Sequence, residues 1–255
     1  MLIYLVIVIF IAIAVGLVLF LLKEDKGEKE PTIDLWLAAG LGLSAAVIAA
    51  IVERLVIPMA NTKLGTPFGT MFLSFLGVGV IEETLKFLPL ALIIYPKKYF
   101  NEHTDGIIYF AIAGLGFGLP ENILYTIQYG AKAGVGRLVM TPFFHAAITA
   151  MVGFYLVRAK LAKKSPFTVW PYFLLAIGLH TLYDFGLASG SDLFTFISIA
   201  ITLALSANLF YLFFKAKDLD EDTGLAAVGH NSFCRSCGAV NTNHYLYCTQ
   251  CGKRA

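Results

Sequence analysis

Ile81-Glu82-Glu83-Thr84-Leu85-Lys86 lies inside an apolar segment running from about Phe68 to Tyr95. Two adjacent carboxylates and a lysine therefore fall where the hydrocarbon core of a bilayer would be. One charged side chain at the middle of a membrane helix costs about 2.5–3.5 kcal/mol on insertion scales. A merely structural span would not normally carry two carboxylates. The stretch reads as the chemical centre of a membrane protein, and the rest of the chain is read for what converges on it.

The surroundings agree with a membrane setting. The 255 residues are 58% hydrophobic and 14% charged, against roughly a quarter charged in soluble domains. Several apolar runs reach the ~20 residues that a helix needs to cross a bilayer. They are continuous, not the short alternating segments of a membrane β-barrel. The expected fold is an all-α polytopic membrane protein of about seven spans, near residues 2–22, 34–57, 69–95, 105–130, 139–158, 168–189 and 192–214. The first run has neither a basic leader nor a small-residue cleavage site, so it reads as a retained span. The charged loop Lys23 to Pro31, Pro96-Lys97-Lys98, Lys163-Lys164-Ser165-Pro166 and Ser189-Gly190-Ser191 break the spans. The break from Gly130 to Gly136 is softer and reads as membrane-embedded.

Lys23, Lys26, Lys29, Lys97, Lys98, Arg158, Lys160, Lys163, Lys164, Lys215 and Lys217 share one side of this arrangement, while Arg54, Lys63, Lys132 and Arg137 lie on the other. The positive-inside rule then places the N-terminus outside and the C-terminus in the cytoplasm of a multi-pass plasma-membrane protein. A net charge of +2, with its basic residues scattered over loops, excludes nucleic acid as an expected partner.

Domains are expected at 1–215 for the membrane part, 216–232 for a solvated linker carrying the acidic run Asp218 to Asp222, and 233–255 for a small tail. All four cysteines lie in that tail, as Cys234-x-x-Cys237 and Cys248-x-x-Cys251, ten residues apart and each pair followed by glycine. Four thiolates at this spacing suit tetrahedral Zn²⁺. So short a segment has no core of its own, and metal binding would supply its folding energy. A cytoplasmic location keeps the thiols reduced. The reading is a structural zinc ribbon, available to a protein partner or serving only to steady the tail.

Four spans carry ionisable groups. Glu82 and Lys86 share a helix face at i, i+4 and can pair, with Glu83 about 100° around the helix. The fourth span holds Phe117-Gly118-Leu119-Pro120-Glu121-Asn122, where Gly114, Gly116 and Gly118 permit close helix approach. The fifth holds Thr141-Pro142-Phe143-Phe144-His145, and the sixth His180-Thr181-Leu182-Tyr183-Asp184. Glu53-Arg54, near the end of the second span, reads as an interfacial pair. Each motif alone has a bland reading as a packing hydrogen bond, a structural ion pair or helix glue. Together they must face one another or water. A buried glutamate beside another acid suits general acid–base work, and a histidine can donate to an oxyanion. The same groups suit a proton or cation path, or a divalent metal site. Spacing does not separate these readings, and neither HExxH nor GxSxG is present.

Glu82-Glu83-x-x-Lys86, Phe117-x-x-x-Glu121 and His180-x-x-x-Asp184, in this order on successive spans, resemble the PrsW family of intramembrane proteases. Asp105-Gly106-Ile107-Ile108-Tyr109, Glu121-Asn122-x-x-Tyr125, and Arg137 with Pro142-x-x-His145 extend the likeness over about residues 30–215. The family is grouped with the CAAX prenyl proteases and the bacteriocin-immunity proteins. The resemblance implies site-specific hydrolysis of a membrane-anchored protein, such as an anti-sigma factor. It implies Glu82 as the general base and Glu121 in the place of a water-assisting histidine. It puts His180 and Asp184 at oxyanion-hole positions, with Glu83 and Lys86 in support. Glu121 and Asp184 depart from the His and Asn of the prenyl protease relatives. An ionised aspartate only accepts hydrogen bonds, so Asp184 would orient His180 or act protonated. The more acidic set also suits a divalent metal, in keeping with the family's description as metalloproteases. His145 stands outside the four-residue scheme as a further ligand or donor. Metal-free glutamate catalysis is the leading expectation here; a metal-dependent protease, a non-catalytic binding or immunity protein and a proton-coupled transporter are the alternatives.

Overall fold

The computed structural model describes residues 2–57, 67–223, 232–233 and 240–241. Eight α-helices account for nearly all of it: α1 (Leu2–Glu24), α2 (Thr32–Val56), α3 (Phe68–Ile93), α4 (His103–Tyr129), α5 (Ala131–Met140), α6 (Pro142–Leu161), α7 (Trp170–Ala188) and α8 (Asp192–Thr223). A 3₁₀ turn at Pro166–Val169 leads into α7. Proline sets several starts: Pro31 and Pro67 precede α2 and α3, and Pro142 opens α6, where a missing N–H costs nothing and φ is already helical. Gly130, at φ 85°, turns the chain between α4 and α5, a region glycine enters freely.

α1, α2, α4 and α8 are long and apolar enough to cross a membrane, with α5 and α6 counting as a fifth if their bend of 40° is one broken span. Length and composition therefore give four or five crossings among the described residues, where the sequence leads one to expect seven. The difference lies in α3, with Glu82, Glu83 and Lys86, and in α7, with His180 and Asp184. The soft break after Gly130 is α5, a helix of its own.

α4 is the central helix. Its residues from His103 to Leu115 are buried on every face, packed by α1, α2, α6 and α8. Glycine makes this packing possible. Gly106 and Gly153 bring α4 and α6 so close that neither position has room for a Cβ.

The loops interlock at one end. Asp220 accepts the backbone N–H groups of His103 at 2.8 Å and Thr104 at 3.0 Å, capping α4 from α8. Asp105 accepts from Asn101 N at 2.6 Å and Glu102 N at 2.7 Å. Glu102 accepts from the Glu28 N–H at 3.1 Å, and Lys160 Nζ donates to the Lys97 carbonyl at 2.9 Å. The loops rich in lysine thus share one end of the bundle, as the alternation of spans requires. Burial, with the charge of Asp105, pushes the Glu102 carboxyl up to about 9. Burial likewise pushes Glu30, which accepts from the Tyr109 hydroxyl, up to about 7.

α8 continues to Thr223, through residues 216–223 that read as a solvated linker. Asp220 is only 1% exposed there, because its carboxylate serves the orphan N–H groups of α4. Beyond α8, β1 (Ser232–Phe233) and β2 (Val240–Asn241) pair antiparallel, Ser232 opposite Asn241 and Phe233 opposite Val240. Cys234, Cys237, Cys248 and Cys251 lie outside the described residues.

Candidate functional site

Glu82, Glu83 and Lys86 lie on the inner face of α3 and are 8%, 2% and 2% exposed. Lys86 Nζ bonds Glu83 Oε1 at 2.6 Å and stands 3.7 Å from Glu82 Oε2. The tighter partner is thus Glu83 at i+3, not Glu82 at i+4 as the helix-face argument expects. The ammonium is also 3.3 Å from His145 Nδ1 and 4.4 Å from the centre of the Phe117 ring. A lysine can only donate. His145 Nδ1 is therefore the acceptor in this contact.

α7 brings His180 to the same carboxylates. Its Nδ1 lies 2.7 Å from Glu83 Oε1. Its Nε2 faces Asp184 Oδ2 at 3.2 Å and Glu82 Oε2 at 3.5 Å. The His180–Asp184 pair expected at i, i+4 is present, and Glu83 holds the opposite side of the ring.

α4 and α5 contribute a second clamp. Arg137 bonds Glu121 Oε1 at 2.5 Å and Asn122 Oδ1 at 2.7 Å, and lies 4.1 Å from the Tyr125 ring centre. Thr141 also donates to Asn122 Oδ1, at 2.6 Å. Glu121 Oε2 and His145 Nε2 stand 2.8 Å apart, yet neither atom makes a hydrogen bond of acceptable direction. Gly118 lets α6 bring the His145 ring this close.

All six side chains singled out in the membrane part, Glu82, Glu83, Glu121, His145, His180 and Asp184, meet in one cluster. His145, outside the four-residue scheme, is at its middle. Glu53, read as half of an interfacial pair with Arg54, also has Asp184, Glu121, His180 and Lys86 as charged neighbours, and its Oε1 is buried. The signal was in the sequence. The buried stripe of α2 runs Ala38, Gly42, Ala45, Ala49, and the next position on that phase is Glu53. Arg137 was legible only as part of the family likeness.

Glu53, Glu82, Glu83, Glu121 and Asp184 face two fixed cations, Lys86 and Arg137. Carboxylates thus outnumber the fixed cations in the cluster. One donor atom each of Glu82, His145 and His180 lie within 4.8 Å of one another. Among the described residues, eight buried side-chain atoms lack a hydrogen bond, and five of them are here: Glu53 Oε1, Glu82 Oε2, Glu121 Oε2, His145 Nε2 and Tyr183 Oη. Buried polar atoms are normally paired. The donor set fits a divalent ion of the kind that imidazole and carboxylate bind.

The model of the PrsW family of intramembrane metalloproteases matches residues 30–214. Protease PrsW of Bacillus subtilis (strain 168) is 32% identical over 184 residues, covering 71% of this chain and 82% of that protein. Protease PrsW of Halalkalibacterium halodurans is 30% identical over 190 residues, 73% of this chain and 84% of that protein. Protease PrsW of Geobacillus kaustophilus is 37% identical over 112 residues, 44% of this chain and 50% of that protein. No solved structure matches the chain.

Proposed function

This chain belongs to the PrsW family of intramembrane metalloproteases, and we propose that it is a metal-dependent endopeptidase that cuts a membrane-anchored protein at the Glu82–His145–His180 cluster. The observation that carries the reading is the convergence of those three donors within 4.8 Å, with the far nitrogen of His180 already held by Glu83. A ligating histidine characteristically has its other nitrogen fixed by a carboxylate in this way. The metal-free glutamate mechanism, ahead on sequence alone, uses the same Glu82 but leaves the Glu83–His180 pairing without a purpose of this kind.

In this reading Glu82, His145 and His180 hold the ion, and the chemistry it supplies is that of a Lewis acid toward a carbonyl and a water. Lys86 fixes Glu83 and the His145 ring. Arg137 fixes one oxygen of Glu121, whose other oxygen takes a proton from the attacking water. The water oxygen forms the new bond to the peptide carbon. The C–N bond then breaks, and Glu121 returns its proton to the departing amine. Holding these groups in a site nearly closed to bulk water strengthens each electrostatic contact.

The remaining parts of the proposal concern setting. α3, the α5–α6 pair and α7 complete seven crossings, and the basic end faces the cytoplasm by the positive-inside rule. The bilayer delivers a membrane-anchored substrate by lateral diffusion. Cys234, Cys237, Cys248 and Cys251 hold a structural zinc in a cytoplasmic ribbon, with a protein partner as its natural occupant. The test is cleavage of a single-span model substrate in proteoliposomes. Wild type cleaves, while Glu82→Gln and His180→Ala do not and still melt cooperatively. Full activity in both variants would remove this cluster from the reaction.

A further inference from the structure

Peptide hydrolysis places negative charge on the carbonyl oxygen, and a neutral donor aimed at that oxygen is worth a large part of the acceleration. The inference below rests on the peptidase reading and asks which side chain supplies that donor. Most donors in the cluster are already engaged. Lys86 serves Glu83 and His145, and Arg137 serves Glu121 and Asn122. Thr141 donates to Asn122. His180, the position that family likeness suggests for the oxyanion, has carboxylates on both ring nitrogens. Asp184 in its ionised form has nothing to donate.

Tyr183 remains. It is 1% exposed, and its Oη has no hydrogen-bond partner among the described residues. Arg137, Asp184 and Glu121 are the charged groups around it. It stands one turn from His180 on α7, at the i+3 position that shares a face. The phenol cannot swing away, because its ring stacks on Phe144 at 4.0 Å with 23° between planes. Phe144 in turn packs its ring against His145 and His180, at 5.3 Å from each. A buried hydroxyl left without a partner destabilises the fold. Phenylalanine would therefore suit the resting fold at least as well as tyrosine. The hydroxyl gains its use when an acceptor arrives with the substrate.

We propose that Tyr183 is a catalytic residue whose Oη–H donates a hydrogen bond to the scissile carbonyl oxygen as it becomes an oxyanion. The proton stays on Tyr183 throughout, so no bond to it is made or broken. Tyr183→Phe in the full-length protein, assayed on the single-span substrate, tests this. The expected result is a loss of about 10²-fold in kcat, with KM and bound metal unchanged and a melting temperature equal to or above wild type. A phosphinic-peptide analogue of the tetrahedral state should lose affinity in the variant by a similar factor, while an uncleaved substrate peptide should not. A kcat equal to wild type, or a fall in kcat matched by a fall in melting temperature, would overturn the assignment. Absence of cleavage by the wild type would instead defeat the peptidase reading on which the inference stands.

Discussion

Replacing Gly118 by alanine tests how tightly the site depends on the approach of α4 to α6. A Cβ built at position 118 would lie 2.6 Å from His145 Cδ2 and 3.2 Å from its Cγ. Ordinary contact begins at 3.4 Å, so the ring must retreat by the difference from 2.6 Å, 0.8 Å. It has little room to do so. Phe117 and Phe144 stand with their centres 5.3 Å from that of the imidazole, and His180 at 5.4 Å. Lys86 Nζ lies 3.3 Å from one of its nitrogens and Glu121 Oε2 2.8 Å from the other, so neither side is open. A displacement of about 1 Å at reacting groups can cost about 10²-fold in rate. Gly118→Ala should therefore lower kcat/KM by roughly 10- to 100-fold and weaken metal retention, since His145 is one of the three donors. Gly178, on α7 two residues from His180, has nothing within 4 Å of the same added atom. Gly178→Ala should keep wild-type activity. The assay is steady-state cleavage in proteoliposomes with metal content on the same samples. Wild-type rates in Gly118→Ala would show that His145 has no positional role.

Glu83→Gln should loosen the metal by about 10- to 100-fold, as expected when a carboxylate behind a ligating histidine is lost. Competition against a chelator series measures it, and an unchanged affinity would deny Glu83 that role. Stability should fall as pH rises. The folded carboxyls of Glu30 and Glu102 titrate at about 7 and about 9, above the ordinary value of about 4.3. Their protonated forms favour the fold, so their contribution is complete below about pH 4 and is lost as pH passes first 7 and then 9. Melting temperatures should decline from about pH 5, more gently above about 7, and level off above about 9, with Glu102→Gln removing the decline between 7 and 9 and Glu30→Gln lessening the one below 7. A flat or rising profile would contradict this.

The long helices were legible because each is an apolar run closed by prolines, lysines or glycines; α5, ten residues with Lys132 and Arg137 among them, read only as a break. Glu82, Glu83, Glu121, His145, His180 and Asp184 were legible because ionisable groups are costly in such runs and must find one another. What escaped depended on which side a helix turns. Glu53 stands beside Arg54 near the end of α2, and that neighbour suggested an interface; the stripe of small buried residues on the same phase pointed inward. The choice between Glu82 and Glu83 as the partner of Lys86 was a matter of rotamers, which helical spacing does not decide. Asp220 stands in an acidic run with the look of solvent, and only the packing of α8 against the start of α4 reveals it as a cap. Tyr183 carries no mark of function in the sequence, because its lack of a partner exists only in three dimensions.

The most direct test of the metal-dependent reading is the divalent-metal content of a form ending at Thr223, measured with its cleavage activity. Thr223 is the right end point because it spares Asp220 and removes all four cysteines. The account predicts that this form retains a divalent ion in proportion to its activity, that chelation removes both together, and that His180→Ala holds none. A metal-free form whose Glu82-dependent cleavage withstands chelators would contradict it and make the protein a glutamate peptidase.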